Sequence, residues 1–125
     1  MLPKKVLIVD DEKSLSELIM ESLNMVGGFI VERAFNGEEA VEKYKIFAPD
    51  IVVMDVEMPV MDGYESSSKI KSIDPDARIL VLTGNPCDVR ARKTIKEGLA
   101  LRLMKKPVRL MDLNRTICDN LAACA

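Results

Sequence analysis

The chain has 125 residues, 48% of them hydrophobic and 30% charged, with a formal net charge of −2. This length suits one ordinary domain with an apolar core, and the balanced charge excludes a strongly basic nucleic-acid-coating protein and a disordered acidic chain. There is no signal-peptide pattern, no apolar run near the roughly 20 residues that span a membrane, no histidine, and no metal spacing among the three cysteines. We therefore expect a cytoplasmic protein with reduced thiols and no zinc site.

The first third of the chain predicts two strands around one helix. An apolar run indicates a first strand over Lys5–Asp10, and a second strand covers Phe29–Ala34. Between them, apolar residues recur at helical spacing until Gly27 and Gly28, a pair typical of a helix end. The predicted inward face of this helix consists of Leu15, Leu18, Ile19, Leu23 and Val26.

The middle of the chain predicts a helix, a buried strand and a loop that leads into a third helix. Asn36 opens the second helix, with Glu39 at capping-box spacing, and Pro49 closes it. The third strand covers Asp50–Asp55. A loop over residues 56–62 follows it, and Gly63 begins the third helix. The predicted inward face of the second helix consists of Ala40, Val41, Tyr44 and Phe47.

The last third predicts two further strand and helix pairs. The fourth strand covers Ala77–Thr83, and the fourth helix covers Asp88–Glu97, with Gly98 as its cap. The fifth strand covers Ala100–Lys105, and the fifth helix starts near Leu110. The predicted inward face of the fifth helix consists of Leu110, Leu113, Ile117, Leu121 and Cys124.

This alternation predicts an α/β fold, a doubly wound five-stranded parallel sheet with helices on both faces. The first, third and fourth strands are continuous apolar runs, which is typical of central strands that are covered on both sides. We see no repeats, linkers or low-complexity segments.

Polar residues end four of the predicted strands: Asp10 with Asp11, then Asp55, Thr83, and the pair Lys105 and Lys106. Because ligands bind at the carboxyl ends of parallel strands, we expect one shared site. Three close carboxylates repel one another, and Mg²⁺ with oxygen ligands would remove that conflict. A hydroxyl and an ammonium could stabilise phosphoryl oxygens, with Asp55 as a candidate nucleophile. Capping of the first helix by Asp10 or Asp11 is the alternative.

The set resembles the receiver domain of two-component response regulators over the whole chain. The motifs that carry the resemblance are Val9-Asp10-Asp11-Glu12, Asp55 with Met58-Pro59-Val60-Met61-Asp62-Gly63, Thr83, and Lys106-Pro107. The resemblance implies a flavodoxin-like strand order 2-1-3-4-5 and a phosphoryl group received on Asp55 from a histidine kinase or phosphotransfer protein.

The resemblance also implies roles for the other site residues. Asp11 and Asp55 would ligate Mg²⁺ directly, Asp10 largely through water, and the backbone carbonyl of Glu57 would be a further ligand. Thr83 would move toward the new phosphoryl group, and a lysine would pair with it. The peptide bond before Pro107 would be cis.

Four features depart from the family pattern. The family lysine precedes proline, which favours Lys106, but spacing from Thr83 also fits Lys105. Leu103 stands at the switch position that usually holds an aromatic ring. Gly84 and Asn85 follow the threonine in a flexible turn. Ser66–Ser68 replace apolar residues of the third helix, so we expect that helix to be less firmly packed than its neighbours.

Charge is uneven along the chain, with 13 acids and 6 bases in residues 1–62 but 7 acids and 12 bases in residues 63–125. The basic residues gather on the fourth helix, fifth strand and fifth helix, which form the family's usual output face. This face would suit an acidic effector or a symmetric dimer, with a merely solvated surface as the alternative. The residues concerned are Arg90, Arg92, Lys93, Lys96, Arg102, Lys105, Arg109 and Arg115. A lack of stacking aromatics argues against nucleic-acid binding.

We expect residues 1–125 to form a single receiver domain without an output domain, monomeric or weakly dimeric through this face. It would be a phosphorylatable signalling module, not an enzyme, and could be stand-alone, a relay intermediate or a fragment. Two alternatives stay open. One is an interaction module that is never phosphorylated. The other is a phosphohydrolase with Asp55 as nucleophile, in which Glu57 would stand at the acid/base position, although no cap domain is present.

Overall fold

The computed structural model describes residues 2–121. Within that range one parallel sheet runs in the order β2-β1-β3-β4-β5, which confirms the predicted fold class and strand order. The strands are β1 (Lys4–Val9), β2 (Phe29–Ala34), β3 (Ile51–Asp55), β4 (Ile79–Thr83) and β5 (Arg102–Lys105). The helices are α1 (Lys13–Val26), α2 (Gly37–Phe47), α3 (Gly63–Ile73), α4 (Val89–Lys96) and α5 (Leu110–Leu121). Between residues 2 and 121, no helix combines the length and apolar character of a membrane span.

The sheet separates two apolar cores because side chains alternate along each strand. In β1, Val6 and Ile8 pack with residues of α1 and α5, whereas Leu7 and Val9 pack with residues of α2, α3 and α4. The strands β1, β3 and β4 are buried on both sides, as their continuous apolar sequences predict.

The register of the central strands brings the two acidic strand ends together. Val9 of β1 lies opposite Met54 of β3, so the next residues, Asp10 and Asp55, are neighbours at the carboxyl edge. On the other side of β3, Asp55 lies opposite Leu82, which precedes Thr83. The fold therefore gathers the predicted site residues at one edge of the sheet.

The predicted element bounds differ from the structure mainly at the last two strands. Ala77 and Arg78 precede β4, and Ala100 and Leu101 precede β5. Asp88 and Glu97 cap α4 and do not belong to its helical turns. The Asn36 side chain caps α2 by accepting a 2.8 Å hydrogen bond from the backbone N–H of Glu39.

The predicted inward face of the first helix was wrong at two positions. Leu18 is 51% exposed and Val26 is 57% exposed. Only a narrow stripe of α1 reaches the sheet, in which Ile19 and Leu23 are fully buried. Leu18 lies on the flank of this stripe, and Val26 is the last residue of the helix. The inward face of α5 is as predicted from Leu110 to Leu121, whereas Cys124 lies outside the described residues.

Serines of α3 are part of the packing against α2. Ser66 and Ser67 are fully buried, and the Ser66 hydroxyl donates a 2.9 Å hydrogen bond to the carbonyl of Gly37. Ser68 is exposed. Small side chains thus allow the two helices to approach closely, and the expected looseness of α3 stays a prediction for hydrogen exchange.

Candidate functional site

Three carboxylates meet at the carboxyl edge of the sheet. One oxygen from each of Asp10, Asp11 and Asp55 lies within 4.8 Å of the other two. Asp10 and Asp55 are almost completely buried, at 1% and 2% exposure, while Asp11 is exposed. Asp10 also accepts a 2.8 Å hydrogen bond from the backbone N–H of Glu12, the N-cap residue of α1, which has no side-chain cap of its own. The acids thus form one site at the start of α1.

Lys106 supplies the positive charge of this site. Its Nζ lies 3.0 Å from Asp10 Oδ2 and 3.2 Å from Asp55 Oδ1. The alternative lysine, Lys105, is exposed and lies opposite Thr83 at the end of β5. The Lys106–Pro107 peptide bond is cis. Of the two candidate lysines, the structure brings Lys106 to the carboxylates.

Burial and mutual repulsion govern ionisation in the site. Burial, followed by the negative charge of Asp10, raises the pKa of Asp55 to about 7, against the opposing effect of the Lys106 ammonium. Burial acts to lower the pKa of Lys106, but its hydrogen bond to Asp10 and the negative charges of Asp10 and Asp55 raise it overall. A single ammonium therefore only partly compensates the two buried carboxylates.

The donor set fits a hard divalent cation. Asp55 Oδ1 is buried and, within residues 2–121, has no hydrogen-bond partner, because the nearby Lys106 ammonium contacts it as an ion pair without hydrogen-bond geometry. A buried carboxylate oxygen without a hydrogen bond is costly, and Mg²⁺ binds such oxygens while keeping several waters. The chemistry of Asp10, Asp11 and Asp55 is thus appropriate for Mg²⁺.

The Glu57 side chain belongs to the site through a hydrogen bond with Thr83 that the sequence did not reveal. The Thr83 hydroxyl donates a 2.8 Å hydrogen bond to Glu57 Oε1, and the backbone N–H of Asn85 donates to Thr83 Oγ1 at 3.1 Å. Burial acts to raise the pKa of Glu57, but hydrogen bonding, first of all from the Thr83 hydroxyl, lowers it overall. Sequence reasoning considered the Glu57 backbone carbonyl as a metal ligand and the Glu57 side chain as the acid/base group of the alternative phosphohydrolase, and both roles stay predictions. The available signal was an acid two residues after Asp55.

Two glycines allow the loop after β3 to pack closely against neighbouring backbone. A Cβ on Gly63 would stand 2.2 Å from the carbonyl oxygen of Asp55, and a Cβ on Gly37 would stand 2.3 Å from that of Met61. In the same loop, Val60 has a φ of 69°, which is unfavourable for a β-branched residue. The Asp62-Gly63 turn is therefore fixed by close backbone contact with the end of β3.

A groove along α4 is lined by three basic residues of that helix, Arg92, Lys93 and Lys96. Apolar residues form much of its lining, among them the half-buried Leu103 and Val89, which is 71% exposed. Arg90 differs from the other predicted face residues, because it is half-buried and pairs with Asp62 and Asp88. The exposed members are Arg92, Lys93, Lys96, Arg102, Lys105, Arg109 and Arg115.

Fold and site together define a flavodoxin-like α/β protein with an acidic, lysine-paired pocket at the carboxyl edge of its sheet. The chain belongs to the family of response regulator receiver domains, whose profile matches residues 6–117. It is a CheY-like receiver of the two-component type.

Characterised relatives span nearly the whole chain. The chemotaxis protein CheY of Halobacterium salinarum is 38% identical over 98% of this chain and 100% of its own length. The CheY of Thermotoga maritima is 37% identical over 87% of this chain and 92% of its own length. Among solved structures, the CheX–CheY–BeF₃–Mg²⁺ complex from Borrelia burgdorferi has a TM-score of 0.86 at 30% identity, covering 94% of this chain and 89% of that one.

Proposed function

We propose that this receiver accepts a phosphoryl group on Asp55 from a histidine kinase or phosphotransfer protein in the cytoplasm. The observation that supports this most is the Lys106 ammonium, 3.0 Å from Asp10 and 3.2 Å from Asp55. A lysine held at a carboxylate pair is suited to neutralise a phosphoryl group added there. Residues 1–125 would act as one receiver unit, with its own acyl-phosphate chemistry and no external substrate turnover.

Asp55 is the nucleophile of the proposed reaction. An oxygen of its ionised carboxylate forms the new P–O bond while the P–N bond of the donor's phosphohistidine breaks and its electrons remain on the imidazole. Asp10, Asp11, Asp55 and the Glu57 carbonyl would hold Mg²⁺, which when bound neutralises carboxylate and phosphoryl charge. Lys106, which follows β5, stabilises the same charge, and burial of Asp55 excludes bulk water.

Thr83 would report the new phosphoryl group by exchanging hydrogen-bond partners. Its hydroxyl donates a hydrogen bond to Glu57. A phosphoryl oxygen on Asp55 offers a more highly charged acceptor, so the hydroxyl turns from Glu57 to that oxygen. The backbone of Asn85, which is bound to the same hydroxyl, then transmits the change to the segment before α4. Leu103 has no ring to swing inward as this happens.

Phosphorylation can be tested directly with matched lysine variants. The protein is incubated with Mg²⁺ and a small phosphodonor, and intact mass is measured. We expect a gain of one phosphoryl group in wild type, none in Asp55→Asn, and a strongly reduced gain in Lys106→Ala. Lys105→Ala, which changes the exposed neighbour, should behave like wild type. No mass gain on wild type would contradict the proposal, and a loss only in Lys105→Ala would reverse the choice of lysine.

The output partner would be an acidic effector that binds the α4–β5–α5 face. The groove combines exposed apolar side chains such as Val89 and Ile95 with the basic residues Arg92, Lys93 and Lys96. Its charge favours an acidic partner and disfavours a symmetric dimer that would bring like charges together, so any self-association should be weak. A pull-down with and without beryllofluoride should recover acidic partners preferentially with it. Equal recovery by wild type with beryllofluoride and by Asp55→Ala would indicate an interaction module that does not respond to phosphorylation.

A further inference from the structure

Tyr64 connects the phosphoacceptor loop to α4. It follows Gly63, whose backbone lies against the carbonyl of Asp55. The Tyr64 hydroxyl donates a 2.7 Å hydrogen bond to Oε1 of Glu97, the cap residue at the end of α4. The ammonium of Lys93 lies 5.0 Å from the centroid of the Tyr64 ring, in cation–π range. One aromatic side chain next to the Asp55 loop therefore makes two contacts with α4.

Arg90 makes a second connection at the other end of α4. Its guanidinium lies 3.6 Å from Asp62 and 3.2 Å from Asp88. Asp62 caps α3 through the N–H of Glu65, and Asp88 caps α4 through the N–H of Arg90. One cation thus joins the capping carboxylates of both helices. We call the five residues Asp62, Tyr64, Arg90, Lys93 and Glu97 the α3–α4 clamp.

These polar contacts matter because α4 is otherwise weakly held. It has eight residues, of which only Ala91 and Thr94 are buried. A helix with so few buried contacts moves at low free-energy cost. It is also linked to the site, because Asn85 binds the Thr83 hydroxyl through its N–H and accepts a 3.0 Å hydrogen bond from the N–H of Asp88.

We propose that the α3–α4 clamp holds α4 in its unphosphorylated position and thereby opposes activation of this receiver. The inference rests on the proposed function. When the Thr83 hydroxyl turns toward a phosphoryl group, the hydrogen bonds through Asn85 displace the start of α4. The clamp opposes this displacement because it holds the same helix against α3. An interaction that is present in one state and absent from another lowers the population of the other state by its own free energy. Tyr64 thus places an aromatic ring against α4, whereas Leu103 at the switch position of β5 has no ring.

The affinity for beryllofluoride at saturating Mg²⁺, measured by calorimetry, tests the clamp. Tyr64→Phe removes the hydrogen bond to Glu97 but keeps the ring under Lys93, and Glu97→Gln weakens the same bond. We expect each variant to bind beryllofluoride about two- to five-fold more tightly than wild type, as the loss of one exposed charge-assisted hydrogen bond implies. The double variant should bind beryllofluoride no more tightly than the tighter-binding single variant, because both substitutions act on the same hydrogen bond.

Tyr44→Phe is the matched control. Tyr44 also donates a tyrosine–carboxylate hydrogen bond, 2.6 Å long, but to Asp74 at the far end of α3, away from α4. Its substitution lowers the free energy of unfolding without changing beryllofluoride affinity. Unchanged or weaker binding by Tyr64→Phe and Glu97→Gln, with normal binding by wild type, overturns the clamp alone. An absence of binding by wild type would overturn the proposed function and the clamp together.

Discussion

Asp55→Asn tests whether the ionised Asp55 carboxylate destabilises the fold. Burial and the charge of Asp10 raise the pKa of Asp55 from 3.8 to about 7. Each tenfold change in a dissociation constant corresponds to about 1.4 kcal/mol, so ionisation costs the folded state up to about 4 kcal/mol. Water at the rim and relaxation around Lys106 reduce this cost. We expect Asp55→Asn to raise the free energy of unfolding by about 1–3 kcal/mol at pH 8 without divalent cations.

The pH dependence gives the sign of the effect. The folded-state pKa of Asp55 lies above its ordinary value of 3.8, so the folded protein holds this proton more tightly than the unfolded chain. Stability from this group is present at low pH and is lost as the pH rises through about 7. Asparagine cannot ionise, so the stability difference between Asp55→Asn and wild type should grow between pH 5 and pH 8.

The assay is urea unfolding followed by circular dichroism, in chelator, at four pH values from 5 to 8. Asp119→Asn, which removes an exposed carboxylate of α5, is the control for net charge and should show no such trend. Added Mg²⁺ should reduce the difference in free energy of unfolding between Asp55→Asn and wild type. Only wild type retains all three carboxylates, so it gains the full stabilisation from the cation. A variant no more stable than wild type at pH 8, or a difference that does not change with pH, would refute the reasoning.

Three further substitutions probe the surroundings of the site. Glu57→Gln removes a negative charge beside Thr83 and should raise the rate of phosphorylation by an anionic small donor by at least about twofold; an unchanged time course of mass gain would argue against this. Gly63→Ala places a Cβ 2.2 Å from the Asp55 carbonyl oxygen and should cost about 2–3 kcal/mol in urea unfolding. Gly84→Ala, whose Cβ meets nothing within 4 Å, is its control and should change stability by less than about 0.5 kcal/mol. Val60→Gly relieves a φ of 69° and should raise stability by about 0.5 kcal/mol, after allowance for glycine's flexibility; a loss of stability would contradict that interpretation.

The sheet and the acidic site could be predicted because their sequence signals are local. Strands buried on both faces require continuous apolar runs, and a carboxylate directly after such a run is conspicuous. The parallel arrangement then brings strand ends to one edge without further information. Asp10 and Asp55 are therefore neighbours in the structure, as the order of elements predicts.

The errors and omissions arise where three-dimensional context decides. Helical spacing does not show how wide a stripe the sheet covers, so Leu18 was assigned to the interior although it is exposed. The spacing of residues along the sequence could not decide whether Lys105 or Lys106 reaches the site. Side chains alternate in direction at the end of β5, so only the Lys106 ammonium lies against the carboxylates. The orientation of the Glu57 side chain depends on a hydrogen bond from Thr83, on a different strand.

The serines of α3 illustrate the same limit. Ser66–Ser68 predicted a less firmly packed helix because serine buries little apolar area, and that looseness stays a prediction for hydrogen exchange. In the structure Ser66 and Ser67 are buried, and Ser66 binds the carbonyl of Gly37. A small polar side chain at a close helix contact cannot be distinguished by sequence alone from one at the surface.

The close contact between Gly63 and the Asp55 carbonyl means that only part of the site tolerates substitution. A side chain at Gly63 would displace the backbone of Asp55, so the site cannot be altered at Gly63 without a loss of stability. Glu57, Gly84 and Asn85 lie at the rim, where side chains are partly or largely exposed. Substitutions confined to these three positions would therefore change the charge and shape of the rim while leaving the backbone of the pocket intact.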